Sequence, residues 1–433
     1  MGDIDIMLKN VNRWLPGYIK DRLQKSFLGV TLSSRGAKRR GIYRGVILSH
    51  PERSQPKADE VEGSIASHNI KDSSTRRLRR LGRNDNSPLA SLGMTKVRAG
   101  AHRPQHIFLA ICDHYEPLWN KVDYDTGLGR IKTWCDKYPK IADKYKDFDG
   151  KLPRHTFFYP IEEYHPEYMG LLADLCRRGY GEVEVHLHHD NDTAANLHET
   201  LMNYKKMIAD YYDLLCRDIK TGQIKYGFIH GNWALNNSRP DGRMCGVDNE
   251  LGILSNTGCY ADFTMPSAPD VTQFSTVNRI YRDKGLLMVQ GPLMLNFKNR
   301  KYGILPRIEN SCLSADQPVT AQRIRLWVKA RVHIKGSEDY VFIKLHTHGC
   351  AEDNLKYLLN GGLDNLFSIF LGHYNDGINY ATHFVTARET ANIIKAIEDG
   401  VDSGVKTMRD YRYEKINTLF SIRDTKYEAL KAV

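Results

Sequence analysis

The chain lacks any long hydrophobic run. Within its 433 residues, no stretch approaches the roughly 18 uncharged apolar residues that a membrane-spanning helix needs. The first residues, Met1–Asn10, also lack the basic start and apolar stretch of a secretory signal peptide. We therefore expect a cytoplasmic protein that does not cross a membrane.

Paired cysteine motifs are absent as well. The eight cysteines are scattered along the chain, and no two of them have Cys-x-x-Cys spacing. Several of them, including Cys112 and Cys176, lie within the apolar patterns of predicted strands or helices. This distribution predicts buried, reduced thiols rather than a disulfide framework or a redox motif.

The short motifs of several large enzyme classes are also missing. The sequence has no P-loop, no Gly-x-Gly-x-x-Gly after a predicted strand, no Gly-x-Ser-x-Gly and no His-Glu-x-x-His. Nucleotide-binding, dinucleotide-binding and serine-hydrolase functions therefore have no support from motifs.

Excess positive charge is confined to the N-terminal quarter. The formal net charge is +11, yet residues 1–104 carry 21 Lys/Arg against 9 Asp/Glu, and the remainder is close to neutral. The densest cluster, Arg76–Arg80, lies among Ser, Asn and Gly rather than aromatic residues, so we expect no nucleic-acid binding. The first interpretation is a solvated arm, and the alternative is peripheral contact with the anionic inner face of a membrane.

One amphipathic helix is predicted within this extension. Apolar residues recur at three- and four-residue spacing between Ile4 and Leu23, although Pro16 and Gly17 interrupt the pattern. Such a helix would either dock on the main domain or lie on a membrane surface. Arg35–Arg103 is rich in Ser, Arg, Asn and Gly without sustained periodicity, which predicts an irregular linker.

From His106 onward, short apolar strands alternate with amphipathic helices. The predicted strands are Ile107–Cys112, His155–Tyr159, Glu182–Val185, Tyr226–Ile229, Cys259–Phe263, Leu286–Val289 and Val341–Leu345. The predicted helices are Arg130–Tyr145, Glu167–Arg178, Asn196–Ile219, Asn249–Ser255, Ala321–Val332, Asn354–Leu359, Asp364–Phe370 and Ala387–Glu398. Because parallel neighbours need a crossover, this alternation predicts an α/β fold with a parallel sheet.

Seven strand–helix units favour a distorted (β/α)7 barrel over an open sheet. The predicted organisation has three parts: the basic extension of residues 1–104, the barrel of residues 105–400, and a helical tail of residues 401–433.

Polar residues that can bind metal or move protons follow most of these strands. Barrel enzymes carry their chemistry at the C-terminal strand ends, where the loops gather on one face. The strongest signal is the run from His186 to Asp190, which contains three histidines. Residues two apart on a strand share a face, so His186 and His188 can face the same interior, and His189 or Asp190 can turn back from the loop. Imidazole and carboxylate ligands suit Zn²⁺, Co²⁺ or Ni²⁺, which predicts a metal-dependent hydrolase.

Other strand ends carry weaker signals. An acid beside an imidazole can remove a proton from water, a protonated imidazole can donate one to a leaving group, and an indole can stack on a sugar ring. Each segment also has a structural interpretation as a loop cap, a turn or a stabilising pair. The residues concerned are Asp113, His114, His230, Asn232, Trp233, Asp262, His346 and His348.

Together, these segments resemble the polysaccharide deacetylase superfamily, the NodB-homology metal-dependent deacetylases, over about His106–Gly349. Ile111–His114 stands where that family has Thr-Phe-Asp-Asp, His155–Tyr159 where it has Ala-Thr-Phe-Phe, His186–Asp190 where it has His-x-x-x-His, Phe228–Trp233 at its groove motif, and Ile343–His346 at its closing Leu-x-His. The segments His-Leu-His-His-Asp, His-Gly-Asn-Trp and His-Thr-His-Gly look more like a divergent subgroup associated with bacterial exopolysaccharide loci.

The resemblance implies a role for each of these residues. Asp113 would be the catalytic base and His346 the general acid. The metal would be held by His114, His186 and Asp190, with His188 and His189 as alternative ligands, and the substrate would be contacted by His230, Asn232, Trp233, Asp262 and His348. Two positions depart from the family pattern, because His114 replaces its second Asp and Asp190 replaces its second metal-binding His.

The implied activity is metal-dependent removal of N-acetyl or O-acetyl groups from a polysaccharide or glycan precursor. The implied metal is zinc, with cobalt and nickel as alternatives, and the implied partner is an acetylated glycan. Two other functions stay open, the first because of the altered ligands and the basic arm, and the second because His/Asp clusters on barrels serve several reactions. One is a catalytically inactive carbohydrate-binding or scaffold protein of an exopolysaccharide system, and the other is a metal hydrolase for a different bond.

Overall fold

A computed structural model describes residues 14–22 and 104–416 of the chain. The strands are β1 Gln105–His114, β2 His155–Pro160, β3 Gly181–Leu187, β4 Cys216–Asp218, β5 Ile224–His230, β6 Cys259–Asp262, β7 Ile280–Asp283, β8 Leu286–Val289, β9 Met294–Lys301, β10 Leu305–Glu309, β11 Tyr340–Thr347, β12 Tyr380–Phe384 and β13 Tyr413–Lys415. The helices are α1 (described over residues 14–22), α2 Tyr124–Ala142, α3 Pro166–Arg177, α4 Ala194–Tyr212, α5 Glu250–Thr257, α6 Ala321–Ala330, α7 Glu352–Tyr357, α8 Leu363–Tyr374, α9 Ala387–Glu398 and α10 Val405–Met408.

The main sheet is mostly parallel and follows the order β11-β1-β2-β3-β5-β6-β8-β7. Every neighbouring pair in this order is parallel except β7–β8. A further parallel strand, β12, pairs with the first half of β1. The predicted α/β class and parallel sheet are therefore confirmed, and each of the seven predicted strands is present.

Closure of this sheet into a barrel is not shown by the strand pairing. In the part of the chain that the structure describes, no ladder joins β11 at one end of the strand order to β7 or β8 at the other. Next to β11, the parallel bridge between Cys312 and His346 adds only an isolated contact. The structure thus supports the layered α/β architecture, and the closed seven-stranded ring remains a prediction.

Strand β1 is buried on both faces and separates two apolar clusters. Its odd-numbered residues Ile107, Leu109 and Ile111 belong to the cluster that contains the buried side chains of α2 and α3. Its even-numbered residues, among them Phe108 and Cys112, belong to a different cluster on the other face of the sheet. Because side chains alternate across a strand, consecutive residues of β1 reach different environments. This alternation decides which residues at the end of β1 can meet.

The predicted helices are present with shifted ends. The largest difference is at α4, which was predicted to continue to Ile219 and ends at Tyr212. The next residue, Asp213, adopts a left-handed conformation with φ of 55° and ends the helix. The following residues then form β4, which pairs with β5 and β13. The apolar residues after Tyr212 keep a helical spacing, so the local sequence predicted a longer helix. The pairing of β4 with β5 and β13 cannot be recognised from that spacing.

The predicted boundary at residue 400 falls next to chain segments that pack on the main domain. Val405 and Met408 of α10 are buried in the cluster that also contains Phe108 and Cys112. Strand β13 follows and pairs with β4. Residues 417–433 of the predicted helical tail lie outside the described residues.

The N-terminal helix α1 docks on the main domain rather than standing apart from it. Trp14 and Tyr18 are buried in a cluster with Val277 and Leu293. The predicted interruption at Pro16 and Gly17 is wrong, because residues 14–22 are helical throughout. The rest of the predicted helix and the linker Arg35–Arg103 lie outside the described residues.

Gly17 has a packing reason instead. A Cβ added at this position would lie 1.5 Å from the carbonyl oxygen of Ser275, so only glycine lets the helix approach that backbone.

The cysteines and the hydrophobicity of the helices were also predicted from the sequence. All eight cysteines are free. Cys112 is buried, as predicted, whereas Cys176 is only half-buried, as are Cys135 and Cys312. Among residues 14–22 and 104–416, no helix combines the length and the apolar character needed to span a membrane.

We expect Gly17→Ala to lower the free energy of unfolding by about 1–3 kcal/mol, because the added methyl group overlaps backbone that cannot rotate away. Gly129→Ala is the matched control, since Gly129 lies on an exposed face of α2 and its Cβ would meet nothing within 4 Å. That change should stabilise the protein by up to about 1 kcal/mol through helix propensity. Denaturant unfolding measures both, and equal shifts of the two variants would contradict the docking of α1.

Candidate metal centre

Three parallel strands bring histidines to one edge of the sheet. Strand β1 ends at His114, β3 passes through His186, and β11 passes through His346, with β2 between β1 and β3. Because parallel strands carry their carboxyl ends at the same edge, the residues that follow them converge. The imidazole ring of His114 lies with its centroid 4.9 Å from that of His186 and 4.7 Å from that of His348.

A buried carboxylate, Glu116, lies among these rings. Its Oε1 atom is 3.0 Å from Nε2 of His188 and 3.6 Å from Nε2 of His186. Its Oε2 atom is 2.7 Å from Nδ1 of His348. One ligand atom from each of Glu116, His186 and His188 lies within 4.8 Å of the other two, which is a spacing at which a single cation could be shared.

Several imidazole nitrogens in this region have no hydrogen-bond partner although they are buried. Both ring nitrogens of His114, Nε2 of His186 and Nδ1 of His346 are in this condition. Burying an unpaired polar atom is unfavourable, so such nitrogens indicate a site that a further group completes. A neutral imidazole nitrogen that carries a lone pair is a common ligand for zinc and related metals.

Hydrogen bonds behind two of the rings fix which nitrogen faces Glu116. Nδ1 of His186 lies 3.1 Å from the carbonyl oxygen of Ile229 and donates to it, which leaves the lone pair on Nε2. Nδ1 of His188 contacts the carboxylate of Glu162, which again leaves Nε2 facing the centre. Such outer contacts orient metal-binding histidines in known sites. The residues present therefore fit a divalent metal held by His186, His188 and Glu116.

The electrostatics agree with a carboxylate that stays ionised. Burial raises the pKa of Glu116, but the neighbouring imidazoles of His186, His188 and His348 outweigh burial and hold that pKa well below its usual range. Burial lowers the pKa of His188, yet contacts with Glu116 and Glu162 raise it overall to about 10. In the absence of a metal, a protonated His188 thus balances the charge of Glu116.

The second predicted histidine pair is divided between two environments. His348 has a side chain that is 18% exposed and contacts Glu116 directly. His346 is buried, and burial, followed by the charge of Lys344, lowers its pKa well below the usual value. A histidine that is neutral near pH 7 is poorly suited to the general-acid role implied for His346.

Asp113 lies on the other face of β1 from His114. Its Oδ2 is 2.9 Å from Nε2 of His155, and its Oδ1 accepts a hydrogen bond of 2.6 Å from the backbone N–H of Gly349. The ring of Trp134 packs on His155 at 4.7 Å. The structure therefore does not bring Asp113 to the histidine cluster, because the two-residue alternation of β1 sends it toward α2.

Asp190 is also directed away from the cluster. It is partly exposed, and it accepts hydrogen bonds from the backbone N–H of Met244 and from the guanidinium of Arg243. These two donors occupy its oxygens. The predicted set of His114, His186 and Asp190 is thus not assembled as a set, and His188 takes the position next to His186.

The predicted substrate-contact residues are also distributed over different environments. Trp233 lies beside the cluster, with its ring 6.2 Å from His114 and 6.1 Å from His348. Asn232 is half-buried next to it.

By contrast, His230 is fully buried and faces His189, with ring centroids 4.7 Å apart. Asp262 is also buried, and both of its oxygens accept hydrogen bonds from Thr264. Burial raises the pKa of Asp262 to about 7.

Sequence reasoning missed Glu116, which is the carboxylate at the centre. A signal was available, because Glu116 follows His114 by two residues and therefore continues the same alternation beyond the end of β1. It also missed Glu162 and Trp119, whose ring lies 4.8 Å from His348. Nothing in the local sequence distinguishes these two residues from ordinary loop residues.

Comparisons with known proteins add little to this geometry. No model of a known protein family matches the chain, and no curated protein matches it. Among solved structures, a protein from Mycobacterium smegmatis described as a "putative polysaccharide deacetylase" shares 11% identity at a TM-score of 0.38. The alignment covers 68% of this chain and 92% of that chain. A likeness of this size carries no argument, so the fold rests on the strand pairing and the site on its own contacts.

We expect His186→Gln to lower the affinity of this centre for zinc, because it removes one of the proposed ligands. The loss should exceed the roughly 10- to 100-fold that is typical when a residue hydrogen-bonded to a metal ligand is changed. His198→Gln is the control, since His198 is exposed on α4 and takes no part in the cluster. Equilibrium dialysis with metal analysis measures both variants. Unchanged zinc binding by His186→Gln would show that the cluster holds no metal.

Proposed function

We propose that this protein is a metal-dependent hydrolase that removes acetyl groups from a glycan or glycan precursor. The observation that carries the proposal is the group of Glu116, His186 and His188 at the C-terminal edge of a parallel sheet, with the unpartnered nitrogens of His114 beside it. The sequence resemblance of His106–Gly349 to the polysaccharide deacetylase superfamily supplies the substrate class. The metal identity and the glycan are parts of the proposal.

His186, His188 and Glu116 would hold the ion, and His114, whose ring centroid lies 4.9 Å from that of His186, offers a further imidazole. When bound, a divalent metal polarises a carbonyl group and makes a water molecule more acidic. These ligands form a two-histidine, one-carboxylate set, which occurs in zinc hydrolases.

His348 is the residue best placed to move protons in this reaction. Its Nδ1 is 2.7 Å from Glu116, and its side chain is partly open to solvent while His114 and His346 are buried. Hydrolysis requires a proton to leave the attacking water and a proton to reach the departing amine or alkoxide. We assign both transfers to His348, which replaces the assignment of His346 as general acid.

Two tryptophans flank the open side of the cluster. Trp119 follows β1 and Trp233 follows β5, and each ring centroid is within 6.2 Å of that of His348 or His114. Indole rings offer an apolar face on which a sugar ring can stack. This arrangement supports a carbohydrate substrate.

We expect His348→Gln to lower kcat for acetate release by about 10²- to 10⁴-fold while zinc content is retained, because proton transfer is lost and the three proposed ligands remain. A chelator should abolish the activity of the unchanged protein, and added zinc should restore it. The assay is acetate release from acetylated oligosaccharides, with His198→Gln as the control. Chelator-resistant glycan binding without acetate release would favour a carbohydrate-binding protein, and faster turnover of a phosphoester would favour a different hydrolase.

Asp113 provides a separate test of the residue assignment. We expect Asp113→Asn to lower the free energy of unfolding by about 1–3 kcal/mol, because the buried hydrogen bonds to His155 and Gly349 are disturbed. Its kcat should stay within about tenfold of the unchanged protein, far above the loss expected of a base. Urea unfolding and steady-state kinetics measure the two effects. A loss of 100-fold or more with normal stability would return Asp113 to the role of catalytic base.

A further inference from the structure

A second buried group of potential ligands lies one strand away from the first. We call it the Glu250 cluster, and its members are His189, His230, Cys245 and Glu250, whose ligand atoms all lie within 4.8 Å of one another. Nε2 of His189 is 3.1 Å from Oε1 of Glu250, and Sγ of Cys245 is 3.4 Å from Oε2. Atoms that share one tetrahedral zinc ion are separated by roughly 3.3–3.8 Å, given zinc–ligand bonds of 2.0–2.3 Å.

The surrounding contacts orient this cluster in the way that metal sites are oriented. Nδ1 of His189 lies 3.0 Å from the carboxylate of Asp192 and donates to it, so Nε2 is the nitrogen that would bind a cation held beside Glu250. The backbone N–H of Asn236 donates to Oε2 of Glu250 and holds that carboxylate in place. These partners fix the direction of two of the four side chains.

His230 contributes an unpartnered atom aimed into the cluster. Its ring is fully buried, and its Nε2 has no hydrogen-bond partner although it lies 3.8 Å from Oε1 of Glu250. Nδ1 accepts a hydrogen bond of 3.2 Å from the backbone N–H of Asn232, which leaves the ring hydrogen on Nε2. His230 therefore faces the carboxylate as a donor that a small inward movement of Glu250 would satisfy.

We propose that His189, Cys245 and Glu250 hold a second divalent cation, with zinc the best match, and that His230 orients the carboxylate of Glu250. Thiolate, imidazole and carboxylate together are a zinc donor set, and hard cations such as Mg²⁺ and Ca²⁺ would not select a buried cysteine. Binding would release the proton of the Cys245 thiol. The inference does not depend on the hydrolase activity proposed above.

The two sites share no ligand. His188 and His189 are consecutive, yet His188 contacts Glu116 and His189 contacts Glu250. The Glu250 cluster joins the loop after β3, the loop after β5 and the first residue of α5. The loop after β5 carries both Trp233, which lies beside the first centre, and Cys245. A cation bound at Cys245 would therefore hold this loop against the loop after β3.

Cobalt substitution can distinguish the two sites, because only the Glu250 cluster contains a thiolate. We expect the full chain loaded with Co²⁺ to bind two equivalents and to show a thiolate-to-cobalt charge-transfer band in the near ultraviolet. Cys245→Ser should bind one equivalent and lose the band. Cys259→Ser is the matched control, since it makes the same exchange at another buried thiol whose Sγ contacts a backbone carbonyl, and it should keep both.

His186→Gln completes the design, because it should also lose one equivalent but keep the charge-transfer band. That result would hold whether or not the protein has any deacetylase activity. If Cys245→Ser does not fold, X-ray absorption of zinc-loaded His186→Gln gives the same answer, since it should show a sulfur ligand at about 2.3 Å. The inference is overturned if the protein shows no thiolate band and no sulfur ligand, or if the band persists in Cys245→Ser.

Discussion

The site depends on a carboxylate that is buried among imidazole rings. An isolated buried carboxylate would cost several kcal/mol, so Glu116 must be balanced by a positive charge close by. Without a metal, that charge is a proton on the histidines that surround it, and contacts with Glu116 and Glu162 raise the pKa of His188. A divalent cation would also balance the charge of Glu116, and it would give a partner to unpartnered nitrogens of His114 and His186. The buried charge of Glu116 therefore explains both the histidine arrangement and its fit to a metal.

The opposite end of the sheet contains buried charges of a different kind. There, Arg388 pairs with Glu182 at 2.8 Å, and Arg409 pairs with Asp147 at 3.0 Å. A group of Asp147, Asp149 and His383 has ligand-like spacing, but Arg409 already contacts both of its acids. A guanidinium has no lone pair to offer a metal, whereas a neutral imidazole has one. The amino end of the strands thus holds carboxylates paired with guanidinium groups, whereas the carboxyl end holds buried imidazole nitrogens without a hydrogen-bond partner.

Much of the fold could be predicted because its elements are locally encoded. The buried strands appear as short apolar runs, and several helices begin at residues with a clear N-cap, such as Thr193, Thr320 and Thr386. The end of α4 was not predictable from periodicity, because a left-handed residue at Asp213 and the later pairing of β4 with β13 override the helical pattern. Gly17 was interpreted as a helix breaker, since the backbone of Ser275 that requires a glycine is distant in sequence.

The sequence by itself determined that histidines would follow several parallel strands, and the two-residue period of β3 determined that His186 and His188 would face one side. Only the tertiary structure decided which other residues join them. The alternation of β1 turns Asp113 toward His155, and the loop after β1 returns Glu116 to the histidines. His189 and Asp190 leave the centre for Glu250 and Arg243, which are more than 50 residues away in the chain. Local periodicity fixes the face on which a side chain lies, whereas the partner that it meets there depends on long-range packing.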